Sequence, residues 1–366
     1  MDTASPKRRV FRRAESARVL GAACPEIWVP RVDDGYIGGS VLNRFLVHPQ
    51  ADSFHFTVLV RDPKKAEYFR DLGMTAVVGS HSDAPLVEKL ASEVDVVIAT
   101  ANCDDFGAAN ATLRGLKKKY ETSGVAPIFI NTNGLGVIAE YSKGMYASTV
   151  VYDDSDAVQI ESLPPTARHR NVDLAITAAD AEGYIKSYII LPSTIYGLAT
   201  GRLVDAGIQN RHSMQIPYLI SASLDRGQGG MAGEGKNIWG SVEIHELADL
   251  YVVLYDAIIS KPSVGHGREG YYFGESGEHS LYDIGKAIGE ALVALGRGDS
   301  AQPTTFSQAE VDKYFKGYVY LGSNARCRAT RSRSIGWKPV KTTSDMLASI
   351  RPEMEAVIQK KAAAVS

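Results

Sequence analysis

The sequence predicts an α/β fold, a doubly wound parallel sheet with a smaller C-terminal cap on its substrate side. Three observations carry this. Short apolar runs alternate with segments of helical spacing as far as residue 198, the pattern of parallel strands joined by right-handed helical crossovers. The run Val94–Ala99 (VDVVIA) is nearly all apolar, as suits a strand covered on both faces. A glycine-rich turn, Gly35-Tyr36-Ile37-Gly38-Gly39, lies between the first apolar run and the first helical segment.

In chain order, Ile27–Val29 reads as a first strand and Ser40–Leu46 as a first helix. Phe56–Val60 is rich in β-branched and aromatic residues and is stopped by Arg61-Asp62-Pro63. Lys64–Leu72 has helical spacing and meets Gly73 at a C-cap position. Ala76–Val78 is a short strand, Ala84–Ser92 a helix, Val94–Ala99 a strand and Asn110–Tyr120 a helix whose Lys117-Lys118-Lys119 face is solvated. Pro127–Asn131 and Ser187–Leu191 are two more buried strands, with a helix over 170–182 between them. Beyond 198 come a Gly-rich stretch at 227–235 and helices near 246–259, 281–295 and 344–362. Doubly wound sheets bind ligands at the carboxyl ends of their strands. Sites are therefore expected just after Val29, Val60, Ala99, Ile130 and Leu191.

With 45% hydrophobic and 22% charged residues among 366, the composition excludes disorder, collagen and coiled coil as the class of the whole chain. A formal charge of −2 gives no reason to expect nucleic acid or an anionic membrane as partner, and no apolar stretch is long enough to cross a bilayer. The expected partner is a small-molecule substrate, with a homodimer left open. Residues 1–22 hold six basic groups (Lys7, Arg8, Arg9, Arg12, Arg13, Arg18) and two acids, a net +4 set against −6 for the rest. This head reads as a disordered tail or a wrongly joined first exon ahead of a targeting segment. The organisation expected is a basic head over 1–23, a nucleotide-binding core over 24–198, and a cap with interleaved core elements over 199–366. Cys24, Cys103 and Cys327 form no CxxC pair and suit a reducing compartment, with the cytoplasm as default. No His/Cys/Asp/Glu spacing signals a zinc site, so no metal is expected.

A phosphate-binding turn needs glycines so that backbone N–H groups can approach a diphosphate. Gly35 and Gly38 supply the last two of a G-x-x-G-x-x-G pattern, flanked by Tyr36 and Ile37; Val32 stands where the first glycine belongs, and Asp33 and Asp34 bring unfavourable charge. Arg61 closes the second strand where an NAD-selective site carries a carboxylate, with Lys64 and Lys65 close by. This favours a 2′-phosphate, hence NADP over NAD; a surface Arg paired to a carboxylate explains Arg61 without it.

At this point the sequence resembles the extended or atypical short-chain dehydrogenase/reductases, from about Gly35 to the terminal helix. GYIGGSVL is similar to their glycine turn, LVRDPKKA to the end of their second strand, and VDVVIATAN to the segment flanking the cofactor. LPSTIYG (Leu191–Gly197) resembles the segment lining the nicotinamide, and VEIHELADLY (Val242–Tyr251) the H-x-x-D-L element. The tail, YYFGESGEHSLYDIGKAIGEAL and LGSNARCRATRSRSIGWKP, is similar to fungal NAD(P)-binding epimerase/dehydratase-like proteins. The resemblance implies a Rossmann core with the dinucleotide held by Gly35, Tyr36, Ile37, Gly38, Arg61, Lys64, Thr100, Ala101, Thr132, Pro192, Thr194 and Ile195.

The family's catalytic Tyr-x-x-x-Lys is missing. Its one match, Tyr282/Lys286, falls after the core strands and reads as an exposed helical pair. The expected slot holds His169 and Asp173 at the same spacing. On one helical face, Asp173 would orient and charge His169 as general acid/base; a helix-start pair without chemistry explains the same residues. Thr132 or Asn133, after PIFI, would hydrogen-bond a substrate oxygen in place of Ser, or cap an Asn-Gly turn. Tyr152 and Tyr196 are further proton-donor candidates, and Trp239 and His245 stand near the expected substrate mouth. The function expected is an NADP-dependent oxidoreductase acting on a small carbonyl or alcohol. The alternatives are a dinucleotide sensor that has lost catalysis, like NmrA-like members, and an epimerase/dehydratase-type isomerase or lyase.

Overall fold

The structure, a computed structural model, describes residues 25–30, 35–261 and 263–363. The basic head and Val32, Asp33 and Asp34 lie outside the described residues. Seven strands form one sheet: β1 (Glu26–Pro30), β2 (His55–Val60), β3 (Thr75–Val78), β4 (Val96–Ala99), β5 (Ile128–Thr132), β6 (Lys186–Pro192) and, after two strands of a smaller sheet, β9 (Tyr271–Gly274). The order across the sheet is β9-β6-β5-β4-β1-β2-β3, with every pair parallel. The chain thus starts mid-sheet, runs to one edge, and returns to build the other half. This puts the ends of β1 and β4 side by side at the topological switch point, where open α/β sheets bind ligands.

Helices connect the strands: α1 (Tyr36–Phe45), α2 (Pro63–Asp71), α3 (Ala84–Ser92), α4 (Phe106–Ser123) and α5 (Arg170–Ala181). Their starts are chemically marked. Asp62, Asp83 and Asp105 each accept a hydrogen bond from a backbone N–H in the first turn of α2, α3 and α4, satisfying donors that the helix leaves unpaired. The strands between are buried on both faces, as Ile27, Val29, Val58, Val60, Val97 and Ile98 show.

The first helix starts at Tyr36, four residues before the Ser40 expected, so Gly38 and Gly39 lie inside its first turn. Close packing explains this: a Cβ on Gly39 would stand 2.4 Å from the Gln209 side chain. Gln209 donates to the Tyr36 carbonyl and the Ser40 hydroxyl and accepts from Asn43.

The smaller sheet contains β7 (Thr194–Tyr196), β8 (Ile238–Glu243) and β10 (Gly277–Ser280). Helices α6 (Gln215–Arg226), α8 (Leu281–Ala294) and α9 (Thr343–Ala363) enclose a second apolar core around Leu219, Ile284, Ile288 and Met354. The cap is not a separate appendage, because α7 (Ile244–Ser260) packs on α1 and β9 completes the main sheet. Asp154, sealed from water, fastens this return: it accepts from the backbone N–H groups of Phe273, Arg331 and Ser332. No helix among the described residues is long and apolar enough to cross a membrane.

Candidate active site

The carboxyl ends of β1, β4 and β5 frame a narrow cavity of about 40 Å³, lined among others by Pro30, Ala101, Cys103, Asn131 and Thr132. The buried amide nitrogen of Asn131 has no partner there. Beside it, α1 begins at Gly35 with no side-chain cap and no acid in its first turn. An uncapped helix start presents N–H groups and a positive dipole end to an anion. An open helix start and an orphaned amide at the switch point fit a dinucleotide's phosphates and a polar group of its body.

The other residues expected at a cofactor are distributed unevenly. Arg61 is exposed at the end of β2, and Lys64 stands in the first turn of α2, its backbone N–H bonded to Asp62. Thr100 is buried and its hydroxyl donates to the Pro30 carbonyl. The Thr132 hydroxyl is paired at 2.6 Å with that of Tyr251. Tyr36 donates to the Gly197 carbonyl at 2.7 Å, and with Ile37 and Ile195 it packs against Ala199 and Ile244. Tyr36 thus locks the glycine turn to the chain after β7. Pro192 ends β6 opposite Gly274. Thr194 is buried with an unpartnered hydroxyl, facing a second enclosed cavity of about 10 Å³.

The expected His169–Asp173 pair is not formed, which corrects the sequence reading. His169 is the N-cap of α5, in a left-handed conformation at φ 66°; its carbonyl accepts from the helix, but its side chain is turned off the face that carries Asp173. Asp173 is fully buried and accepts instead from the Asn133 amide, with its second oxygen unpartnered. Burial pushes its carboxyl up to about 7. Asn133 is consumed by this contact and by its own oxygen accepting from the Gly134 N–H. It is therefore not turned toward a substrate oxygen.

His169 finds a different carboxylate. Its Nδ1 is bonded to Asp104 in the loop after β4, and the Cys103 sulfur lies 3.5 Å from the same nitrogen. An acceptor at Nδ1 fixes the proton there and leaves the Nε2 lone pair free. Nε2 lies 2.9 Å from the point where a Cβ of Gly136 would stand, and the Tyr320 hydroxyl lies 2.6 Å from that same point. Only a residue without a side chain lets these two groups pack so close to the backbone. The Tyr320 hydroxyl is buried and has no partner, and the Arg168 guanidinium lies over its ring, 4.7 Å from the centroid. Burial holds the Tyr320 pKa well above its ordinary value, with Arg168 opposing the shift. Burial lowers the His169 pKa, and Asp104 offsets part of that.

Gly136, Arg168 and Tyr320 belong to the wall of a cleft of about 690 Å³ between the segment after β5 and residues 318–326. Tyr152 also lines it. A histidine held by a carboxylate, a tyrosine hydroxyl and an arginine thus pack together around Gly136, with Gly136, Arg168 and Tyr320 in the cleft wall and His169 behind it. Asp104, Arg168, Gly136 and Tyr320 were not foreseen from the sequence. Cys103, Asp104 and His169 also bring their ligand atoms within 4.8 Å of one another, the one such group among the described residues; sequence spacing gave no sign of it.

Three expected residues stand elsewhere. Tyr196 is buried in the second core, its hydroxyl facing the Thr342 carbonyl at 3.4 Å, so it is not a proton donor at this point. Trp239 is buried behind Tyr320, edge-on at 5.5 Å, and is a support rather than a substrate wall. His245 is clamped between Glu243 at 2.6 Å and the Thr200 hydroxyl at 2.9 Å. Tyr282 and Lys286 have surface partners, Gln302 and Glu290, as a structural pair would.

No family model matches the chain. It is 26% identical over 347 residues to Oxidase ucsJ of an Acremonium species, covering 90% of this chain and 95% of that one. It is 23% identical over 327 residues to an uncharacterized protein of Schizosaccharomyces pombe, covering 84% and 93%. Among solved structures it resembles UDP-glucose 4-epimerase of Thermotoga maritima with UDP-glucose, at TM-score 0.61 and 13% identity over 91% of this chain and 99% of that one. It also resembles dTDP-glucose 4,6-dehydratase of Bacillus anthracis with NAD, at TM-score 0.60 and 13% identity over 91% and 97%. The chain shares the Rossmann-type α/β fold of this epimerase and this dehydratase. At such identity the likeness speaks for the fold alone.

Proposed function

We propose that the protein is an NAD(P)-dependent oxidoreductase that interconverts a small carbonyl compound and its alcohol. The convergence of His169 Nε2 and the Tyr320 hydroxyl over Gly136 carries the reading, because hydride chemistry at a carbonyl also needs a placed proton. The NAD bound in similar solved structures, and the likeness to an oxidase, support it. A bound dinucleotide supplies or accepts the hydride. The substrate carbonyl enters the cleft beside Gly136, and Tyr320, whose proton is tightly held, turns its hydroxyl to donate a hydrogen bond that polarises it. In the oxidative direction His169 Nε2 takes the alcohol proton, and Asp104 stabilises the resulting imidazolium through Nδ1; reduction returns that proton to the substrate oxygen. Arg61 favours a 2′-phosphate, hence NADP.

Purified protein is mixed with NADPH or NADH and a panel of aldehydes and ketones, alongside His169→Asn, Asp104→Asn and Arg61→Ala. Asn tolerates the left-handed backbone of residue 169, so His169→Asn tests chemistry rather than folding. NADPH binding tighter than NADH is expected, with the preference lost in Arg61→Ala. Turnover is expected to fall by about 10²–10⁴-fold in His169→Asn. The acid limb of the oxidative pH profile should lie below 6.5, the ordinary histidine value, since burial lowers the His169 pKa. Asp104→Asn removes the opposing influence and should move that limb lower still. Tight NADPH binding without turnover on any compound would instead support a dinucleotide-responsive regulator, a reading favoured by the mutual consumption of Asn133 and Asp173. Failure to bind either dinucleotide overturns both.

A further inference from the structure

We infer that the cleft at Gly136 takes a flat aromatic or conjugated carbonyl compound and not a polyhydroxylated sugar. This rests on the reading of the cleft as the substrate site and names the substrate class. The first ground is a ladder of rings. Tyr141 and Tyr318 lie 4.7 Å apart, Tyr318 and Tyr320 6.3 Å, and Trp239 backs Tyr320 at 5.5 Å. Tyr141 and Tyr318 remain 44% and 46% exposed, although such rings usually bury their area. The ladder leads from the mouth of the cleft to the point where His169 and Tyr320 converge. A planar π-system laid along it brings its carbonyl to that point.

The second ground is what the cleft withholds from a sugar. A polyol needs several free donors and acceptors, because each hydroxyl desolvated without a partner costs about 1–3 kcal/mol. Several of the polar side chains that line this cleft are spent on the protein itself. Arg326 holds Glu278 with two bonds of 2.9 and 2.8 Å and the Ser148 carbonyl with a third. Asn324 accepts from the Ile238 N–H and donates to the Tyr146 carbonyl. Ser323 donates to the Tyr320 carbonyl, and Glu140 accepts from the Tyr146 hydroxyl. Polar capacity persists in single hydroxyls on the edges of the rings (Tyr141, Tyr152, Tyr318) and, at the inner end, in the Tyr320 hydroxyl and in Arg168, which has an aromatic ring rather than a carboxylate as its partner. One carbonyl at that end and a flat apolar body beyond it match this distribution. At about 690 Å³, the cleft has room for a two- or three-ring compound.

The probe is 2-naphthaldehyde, titrated calorimetrically into the full chain with no dinucleotide present, so that the readout does not depend on turnover. Binding is expected, with no displacement by UDP-glucose. Tyr318→Ala and Tyr141→Ala, both at half-exposed positions, should each weaken it about five- to tenfold, the scale of one aromatic contact, and Tyr318→Phe should preserve it. Displacement by UDP-glucose, or unchanged affinity in both alanine variants, overturns the inference. Absence of turnover with binding intact would sink the oxidoreductase reading and leave this one standing. Turnover of aliphatic or sugar aldehydes, indifferent to Tyr318 and Tyr141, would do the reverse.

Discussion

Asp173 stands four residues after His169 in the first turn of α5, yet it is sealed from water with one oxygen unpartnered. Burial raises its carboxyl from an ordinary value near 3.8 to about 7, so the fold favours the neutral acid. The sign follows from linkage. A group whose pKa is raised on folding stabilises fully below its unfolded value, and that contribution is lost as pH rises through the folded one. For Asp173 the window runs from about pH 4 to pH 7. Asp173→Asn keeps an acceptor for Asn133 and removes the ionisation. The melting temperature of this variant, relative to wild type, is expected to rise between pH 5 and pH 8. A difference that stays constant across that range would show that Asp173 is already solvated in the native state. The contact to Asn133 thus braces the turn after β5 from within the core.

At the scale of elements, α1 depends on a contact that no local pattern announces. Gly39 faces Gln209, and the bonds from Gln209 to Tyr36 and Ser40 hold the first turn whose N–H groups face the cofactor crevice. Gly39→Ala forces a methyl group to within 2.4 Å of that side chain. It should cost about 1–3 kcal/mol in denaturant unfolding, as overpacking does, and weaken dinucleotide binding. Combining it with Gln209→Ala should recover much of the stability but less of the binding; a neutral single variant would refute the packing argument. The same contact explains why the sequence suggested a turn through residue 39: glycine is a poor helix former, and tertiary packing overrides that propensity. The inner strands were legible because burial on both faces leaves runs such as VVIA with hardly a polar interruption. The edge strand Tyr271–Gly274 was not, being four residues long and supplied from the far half of the chain. The site was legible only in part. His169 was visible, but Asp104 stands 65 residues before it and Tyr320 lies in an irregular segment. Periodicity encodes neighbours on one element, and this constellation joins three.

At the scale of the molecule, two apolar cores share one chain and are tied where β7 ends. Glu353 on α9 accepts from the Gly197 N–H at 2.8 Å, while Tyr36 donates to the Gly197 carbonyl. One peptide segment thus joins the terminal helix to the start of α1. Other ties run in parallel: Thr343 donates to the Glu278 carbonyl, Trp337 donates to the Glu246 carbonyl, and Glu246 accepts from the N–H groups of Val340 and Lys341. With so many independent links, removing one should lower the stability of the whole without separating the cores. Glu353→Ala leaves the Gly197 N–H without its acceptor, a loss of about 1–3 kcal/mol. Trp28, Trp239 and Trp337 all belong to the sheet core; Trp239 also borders the second core beside Leu219 and Ile284, so a Trp239→Phe background leaves fluorescence from Trp28 and Trp337 to report the sheet core, whereas far-UV circular dichroism also reports the helices of the second. The two transitions should coincide in wild type and stay coincident, at a lower temperature, in Glu353→Ala. A loss of helical signal that precedes the tryptophan transition would show instead that the cap unfolds as its own unit and that Glu353 is its principal tie to the sheet.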